Sequence, residues 1–192
     1  MMEPMNQVIP DNHSGIQTNT ESTIVSKSEK EAMELFREIK DRLLDVNRWH
    51  ELAGPGSAAF LLTDSHGNEV HRNPVKGDHF KIRIPAPKSR TGEGSDWVQV
   101  EDIQESHSPG YDMTAIVVRP ATNPTNEQND VAHFFSDEAT SSFIVRREGK
   151  NIIAGVYGRN EKPNTGSDNL ADKIRNTAVA AGAISGFSKL QW

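Results

Sequence analysis

Apolar positions along the 192 residues change period twice. Between residues 28 and 52 they recur every three or four: Ala32, Leu35, Phe36, Ile39, Leu43 and Val46 form one stripe, with Glu34, Lys40 and Asp41 on the wet side. Ser28 and Glu31 make a capping box for this helix, which has a candidate break near Asp45-Val46-Asn47 and ends at Gly54-Pro55-Gly56. From 57 to 160 the period is two, which predicts a sheet. His79, Lys81 and Arg83 alternate with Phe80, Ile82 and Ile84, and further strands are expected over 58–63, 97–104 and 111–119. Long loops rich in Pro, Gly and Asn separate them.

Two strand-like runs flank Glu148-Gly149-Lys150-Asn151, and Gly-Lys at the centre suits a type II′ hairpin. Pairing Glu148 with Asn151 assigns the faces, because side chains alternate along each strand. One carries Phe143, Val145, Ile152, Ala154 and Val156 and reads as core. The other carries Ile144, Arg146, Ile153, Tyr157 and Arg159 and reads as either wet or covered. A long helix is expected over 168–192, with Leu170, Ile174, Ala178, Ala181 and Ile184 inward and Ala178, Gly182 and Gly186 forming a small-residue stripe. No stop signal follows Gly186, so the chain as given is expected to end inside a helix.

Residues 1–22 hold scattered apolar positions among Asn, Gln, Pro, Ser and Thr and are expected to form a disordered arm; one domain is expected over 23–192. The formal charge of −6 disfavours a phosphate-tracking surface, and Arg146-Arg147 reads as a solvated pair. There is no cysteine, which excludes disulfides and thiolate chemistry. No long apolar run or leader-like order is seen, so a cytoplasmic location is expected by elimination.

A capped helix closing with Asp45 and Trp49, a Gly77-Asp78 step into a strand, antiparallel strands, a terminal hairpin and a last long helix follow one another. This order resembles the START-like or Bet v 1-like helix-grip superfamily, also called SRPBCC or polyketide-cyclase-like. The resemblance covers residues 23–192 and implies an α+β fold in which a curved antiparallel sheet of about six strands wraps around the long C-terminal helix. It also implies a cavity for an apolar ligand, and it transfers no catalytic residue.

Candidate chemistry is sparse. Asp64, His66 and His71 straddle a turn without metal-ligand spacing, and neither a nucleophile elbow nor a phosphate loop occurs. No metal or cofactor is expected. Arg159 and Glu161 are expected to pair. Small residues on the hairpin and the last helix leave two readings open, close packing or a cavity. The cavity would be lined by Trp97 or its neighbour Val98, Met113, Phe143, Val145, Val156, Ala178 and Gly182. Arg147 at its rim meets an acidic head group in one reading and is a snorkelling surface residue in the other. Ile144, Ile153 and Tyr157 raise a separate expectation of burial in a homodimer or under the N-terminal arm. Three functions follow: binding of a small hydrophobic or amphipathic ligand without covalent chemistry, a cyclase- or hydratase-like enzyme, or a protein-interaction module with a solid core.

Overall fold

The computed structural model describes residues 8–53, 59–83, 95–125 and 137–162. Strand β1 (Ile16–Val25) leads to helix α1 (Glu29–Leu44), a 3₁₀ turn (Val46–Arg48) and the short helix α2 (Trp49–Ala53). Six strands follow: β2 (Ala59–Thr63), β3 (His79–Arg83), β4 (Asp96–Ser108), β5 (Tyr111–Pro120), β6 (Thr140–Glu148) and β7 (Asn151–Glu161). They form one antiparallel sheet of seven strands in the order β1-β7-β6-β5-β4-β3-β2. The expected helix over 168–192 lies outside the described residues.

Ser28 caps α1 by accepting the Glu31 N–H at 3.2 Å, while the Glu31 carboxylate takes the Lys27 N–H at 2.8 Å. Ala32, Phe36, Ile39, Leu43 and Leu44 of α1 are buried. The helix breaks where the sequence suggested, at Asp45. Trp49 then turns back: its indole N–H donates to the carbonyls of Arg42 and Leu43 at 3.1 and 3.2 Å, satisfying the end of α1. The same ring lies 5.0 Å from Phe60, 5.7 Å from Phe80 and 5.3 Å from Phe143. One aromatic side chain therefore joins the helical layer to β2, β3 and β6.

Glu148 pairs with Asn151 across the β6–β7 turn, and Gly149 takes φ of +59°. Phe143, Val145, Ile152 and Val156 consequently face α1 with Phe80, Ile82, Val98, Val100, Ile116 and Val118. We refer to this as the helix side.

The opposite side is covered, one of the two readings expected for it. Ile144, Ile153 and Tyr157 are buried within the single chain, at 0, 7 and 3 % exposure. Val8 packs against Met113, Ala115, Val117, Ile144 and Tyr157. These three residues thus present no open face to a second copy, and of the two covers expected, the N-terminal segment is the one found over Ile144 and Tyr157. Residues 8–22 are correspondingly not a disordered arm. Asn160 accepts the His13 and Ser14 N–H groups on its side-chain oxygen at 2.7 and 3.0 Å, and its own N–H donates to Asn12 at 2.7 Å. From Ile16 the chain pairs with β7. Residues up to 22 were expected to lie outside the domain, because most of them are polar. An edge strand with one wet face needs little apolar patterning when the backbone ladder holds it. It brings the count to seven strands against the six expected.

Trp49→Ala is expected to lower unfolding free energy by about 3–5 kcal/mol, the range for deleting a buried aromatic, read from urea titration. A loss below 1 kcal/mol would show that the layers are joined elsewhere.

Candidate functional site

The β4–β5 hairpin extends beneath α1 and pairs Glu105 with Thr114, Ser106 with Met113 and His107 with Asp112. Between it and the helix lies an open cleft of about 310 Å³, lined by Met33, Phe36, Arg37 and Lys40 of α1 and by residues 105–107 and 112–114. Lys40 closes one side through an ion pair with Glu105 at 2.6 Å. The Thr114 hydroxyl is buried and has no hydrogen-bond partner among the described residues. A buried hydroxyl left unpaired costs free energy.

Three side chains form a chain of contacts along this cleft. His107 Nδ1 bonds the Asp112 carboxylate, and Arg147 Nε donates to the other carboxylate oxygen at 2.6 Å. Arg147 also donates to the Gly149 carbonyl at 3.1 Å. Its side chain is 3 % exposed, that of Asp112 12 % and that of His107 78 %. Burial by itself pushes the Asp112 carboxyl up, but hydrogen bonds from His107 and Arg147 and their charges hold it below the ordinary aspartate range. The result is an ionised, anchored carboxylate that orients a solvent-facing imidazole.

The expected lining residues divide. Phe143, Val145 and Val156 are on the helix side, in or against its core. Trp97 is not: it pairs with Lys81, whose ammonium lies 5.2 Å from the indole ring, while Val98 takes the helix-side position. Met113 borders the cleft but packs into the cluster under Val8. These two corrections follow from strand alternation. Arg147 is neither a rim residue awaiting an acidic ligand nor a snorkelling one, because Asp112 occupies it. Ala178 and Gly182 lie outside the described residues.

Sequence reasoning missed His107, Asp112 and Thr114, although the signal was present. A tight turn at Ser108-Pro109-Gly110 makes 107 and 112, and 105 and 114, opposed pairs. Neither Arg146 nor Arg147 is a solvated surface residue. Arg146, on the far side of the sheet, donates to Glu148 at 2.8 Å, to Glu21 at 3.0 Å and to the Tyr157 hydroxyl at 2.8 Å. Burial, reinforced by the Glu21 carboxylate, pushes the Tyr157 hydroxyl up to about 12.

The expected Arg159–Glu161 ion pair does not form among the described residues. Arg159 instead donates to the carbonyls of Thr18 and Gly158, at 3.1 and 2.7 Å, and to the Asn19 side chain at 2.8 Å. Glu161 folds over Gly158 and accepts from the Thr18 hydroxyl at 3.0 Å. Burial raises its carboxyl above the ordinary range, against the pull of Thr18 and the Arg159 charge. Asp64 closes its turn by accepting the His66 and Asn68 N–H groups, both at 2.9 Å. No cluster of three or more His, Cys, Asp or Glu suited to a metal occurs among the described residues. No described helix is long and apolar enough to cross a membrane.

No protein-family model matches the chain, and no curated protein matches it in sequence. Solved structures do. Hypothetical protein jhp0584 from Helicobacter pylori is 12 % identical over 96 % of this chain and 90 % of its own, with a TM-score of 0.53. This likeness concerns the fold alone. Protein Ms6760 from Mycobacterium smegmatis is 11 % identical over 95 % of this chain and 94 % of its own, with a TM-score of 0.44. Norcoclaurine synthase from Thalictrum flavum is 9 % identical over 99 % of this chain and 92 % of its own, with a TM-score of 0.42. At scores below 0.5, nothing further rests on these two.

Arg147→Met leaves the Asp112 carboxylate without its buried cationic partner and is expected to cost about 3–5 kcal/mol at neutral pH. Because the folded Asp112 carboxyl is depressed, its contribution is present above the ordinary aspartate value of about 3.9 and lost as pH falls through the folded one. The penalty should therefore shrink in acid, as read by urea titrations across pH. Glu161 has the opposite sign. Its raised carboxyl makes ionisation unfavourable to the fold, so stability is lost as pH rises from about 4.3 through the folded value. Glu161→Gln is expected to remove that loss and to be more stable than the parent at pH 7. Equal pH slopes in the two proteins would contradict it.

Proposed function

We propose that this protein is a helix-grip domain, of the START-like or Bet v 1-like kind, that binds a small amphipathic molecule on the helix side of its sheet. The observation that carries the reading is the cleft between α1 and the β4–β5 hairpin. Its volume of about 310 Å³ falls at the lower end of the range for small-ligand sites. Met33 and Phe36 supply apolar surface, while Lys40 and His107 offer polar groups to one end of a ligand. Phe143, Val145 and Val156 lie beyond the cleft, in or against the core of the same side. The apolar part of the ligand displaces water from the two apolar side chains while its polar end meets Lys40 and His107.

The test uses 1-anilinonaphthalene-8-sulfonate, a small amphipathic anion, with native mass spectrometry of the purified protein as a second readout. The dye should bind the folded protein saturably. Met33→Trp, which places an indole in the cleft from its helix wall, should weaken that binding at least tenfold, about 1.4 kcal/mol. Equal affinity in the folded variant, or no saturable binding by the parent, removes this function from consideration.

A further inference from the structure

We propose that two copies of this chain join through the open edge of β1, running their sheets into one another about a two-fold axis. The inference goes beyond the ligand-binding reading and does not depend on it. β1 stands at the end of the strand order, so one of its two edges has no strand partner among the described residues. Which backbone groups lie on that edge follows from the β6–β7 hairpin. Glu148 and Asn151 bond each other, so the next residue, Ile152, bonds outward to Ile24, and the alternation continues through Ala154 with Ser22 and Val156 with Thr20. The Ser26 N–H, donating to the Lys150 carbonyl at 2.9 Å, belongs to the same ladder. The N–H and C=O groups of Gln17, Asn19, Glu21, Thr23 and Val25 therefore point away from the sheet. Long edges are usually blunted by lysine, proline or a bulge in the edge strand. β1 has ten residues with neither lysine nor proline, and its one register shift adds a residue on the β7 side. Its only charge, Glu21, is already met by Arg146 at 3.0 Å and by the Tyr157 hydroxyl.

The sequence of this edge is complementary to itself, and that selects a second copy as the occupant. Antiparallel pairing about a two-fold axis at Thr20 sets Asn19 against Glu21, Thr18 against Ser22, Gln17 against Thr23 and Ile16 against Ile24, each twice. Asn19 gives its side-chain oxygen to Arg159 at 2.8 Å, and Glu21 gives Oε1 to Arg146 and Tyr157. The Asn19 side-chain NH2 and Glu21 Oε2 are left without a partner among the described residues. Opposed across the axis, this donor meets this acceptor in two symmetric bonds. Ile16, 60 % exposed, gains an apolar neighbour in Ile24. A register moved by two residues loses that contact in either direction, because Ile16 then meets Ser22 or Ser26. One direction also sets Glu21 against Glu21, and the other sets Asn19 against Asn19.

The test is a cross-link placed on the axis. Thr20 pairs with Thr20 of the other copy at a non-hydrogen-bonded site, where Cα atoms lie about 4.5 Å apart, within the span of a disulfide. Because the chain has no cysteine, the Thr20→Cys protein should oxidise to a covalent dimer that a reductant reverses. Ser22→Cys, on the same face of the same strand, should cross-link about tenfold more slowly or less, since its two thiols sit four residues out of step, about 13 Å apart along the strand. Adding Thr23→Pro to Thr20→Cys removes an edge donor that β7 does not use, so cross-linking should slow by about tenfold while the circular dichroism spectrum is kept. The parent protein, in light scattering, should rise from one-chain toward two-chain mass as concentration increases. Equal cross-linking rates for the two cysteine variants, or a one-chain mass for the parent at every concentration, overturns the edge dimer.

Discussion

Everything on the two faces of this sheet depends on the register of the β6–β7 hairpin. Gly149 permits a two-residue turn, and the turn sets Glu148 against Asn151. A slip by one residue would exchange every side chain between the faces. Arg147 would leave Asp112, and Arg146 would leave Glu21 and Tyr157. Adjacent arginines are thus sent in opposite directions, and each reaches a carboxylate only in this register. Since an unpaired buried guanidinium is costly, the two ion pairs penalise the wrong register as well as stabilise the right one. The hairpin tips are also tied to each other, the Gly149 N–H donating to the Gly110 carbonyl at 2.7 Å.

On the helix side, Trp49 and the hairpin divide the surface between packing and binding. Around Trp49 the sheet presents Phe60, Phe80 and Phe143, and the layers meet through aromatic rings. Toward the turn of the β4–β5 hairpin the same face changes character: Glu105, His107, Asp112 and Thr114 replace the apolar residues. A helix cannot close tightly over such a surface without leaving charges unsolvated. The cleft lies where the core gives way to these groups.

The other face is covered in part by the chain's own N-terminal segment. Val8 covers part of the apolar surface, and Asn160, with φ of +54°, presents both its N–H and its side chain to residues 12–14. Gly158 leaves the room these side chains use: an added Cβ would lie 2.2 Å from Glu161 Oε1 and 2.4 Å from Thr18 Oγ1, so they would have to shift. The end of β7 therefore acts as a clamp for the N-terminal segment, through a buried carboxylate, a glycine and a left-handed asparagine.

By itself the sequence determined the local elements: the Ser28 cap, the period of α1, the break at Asp45, the alternation of the strands and the turn at Gly149. Each is specified by residues within a few positions of one another, so their faces could be assigned without coordinates. The hairpin rule also contained the His107–Asp112 pairing, had it been applied at Pro109-Gly110. Only the tertiary structure decided what each face meets. Nothing local says that Val8 comes back over Ile144, that polar residues from Ile16 onward form an edge strand, or that Arg147 finds Asp112, 35 residues away. These outcomes depend on strand order and on the balance between desolvation and pairing, which are properties of the assembled sheet and not of any one segment.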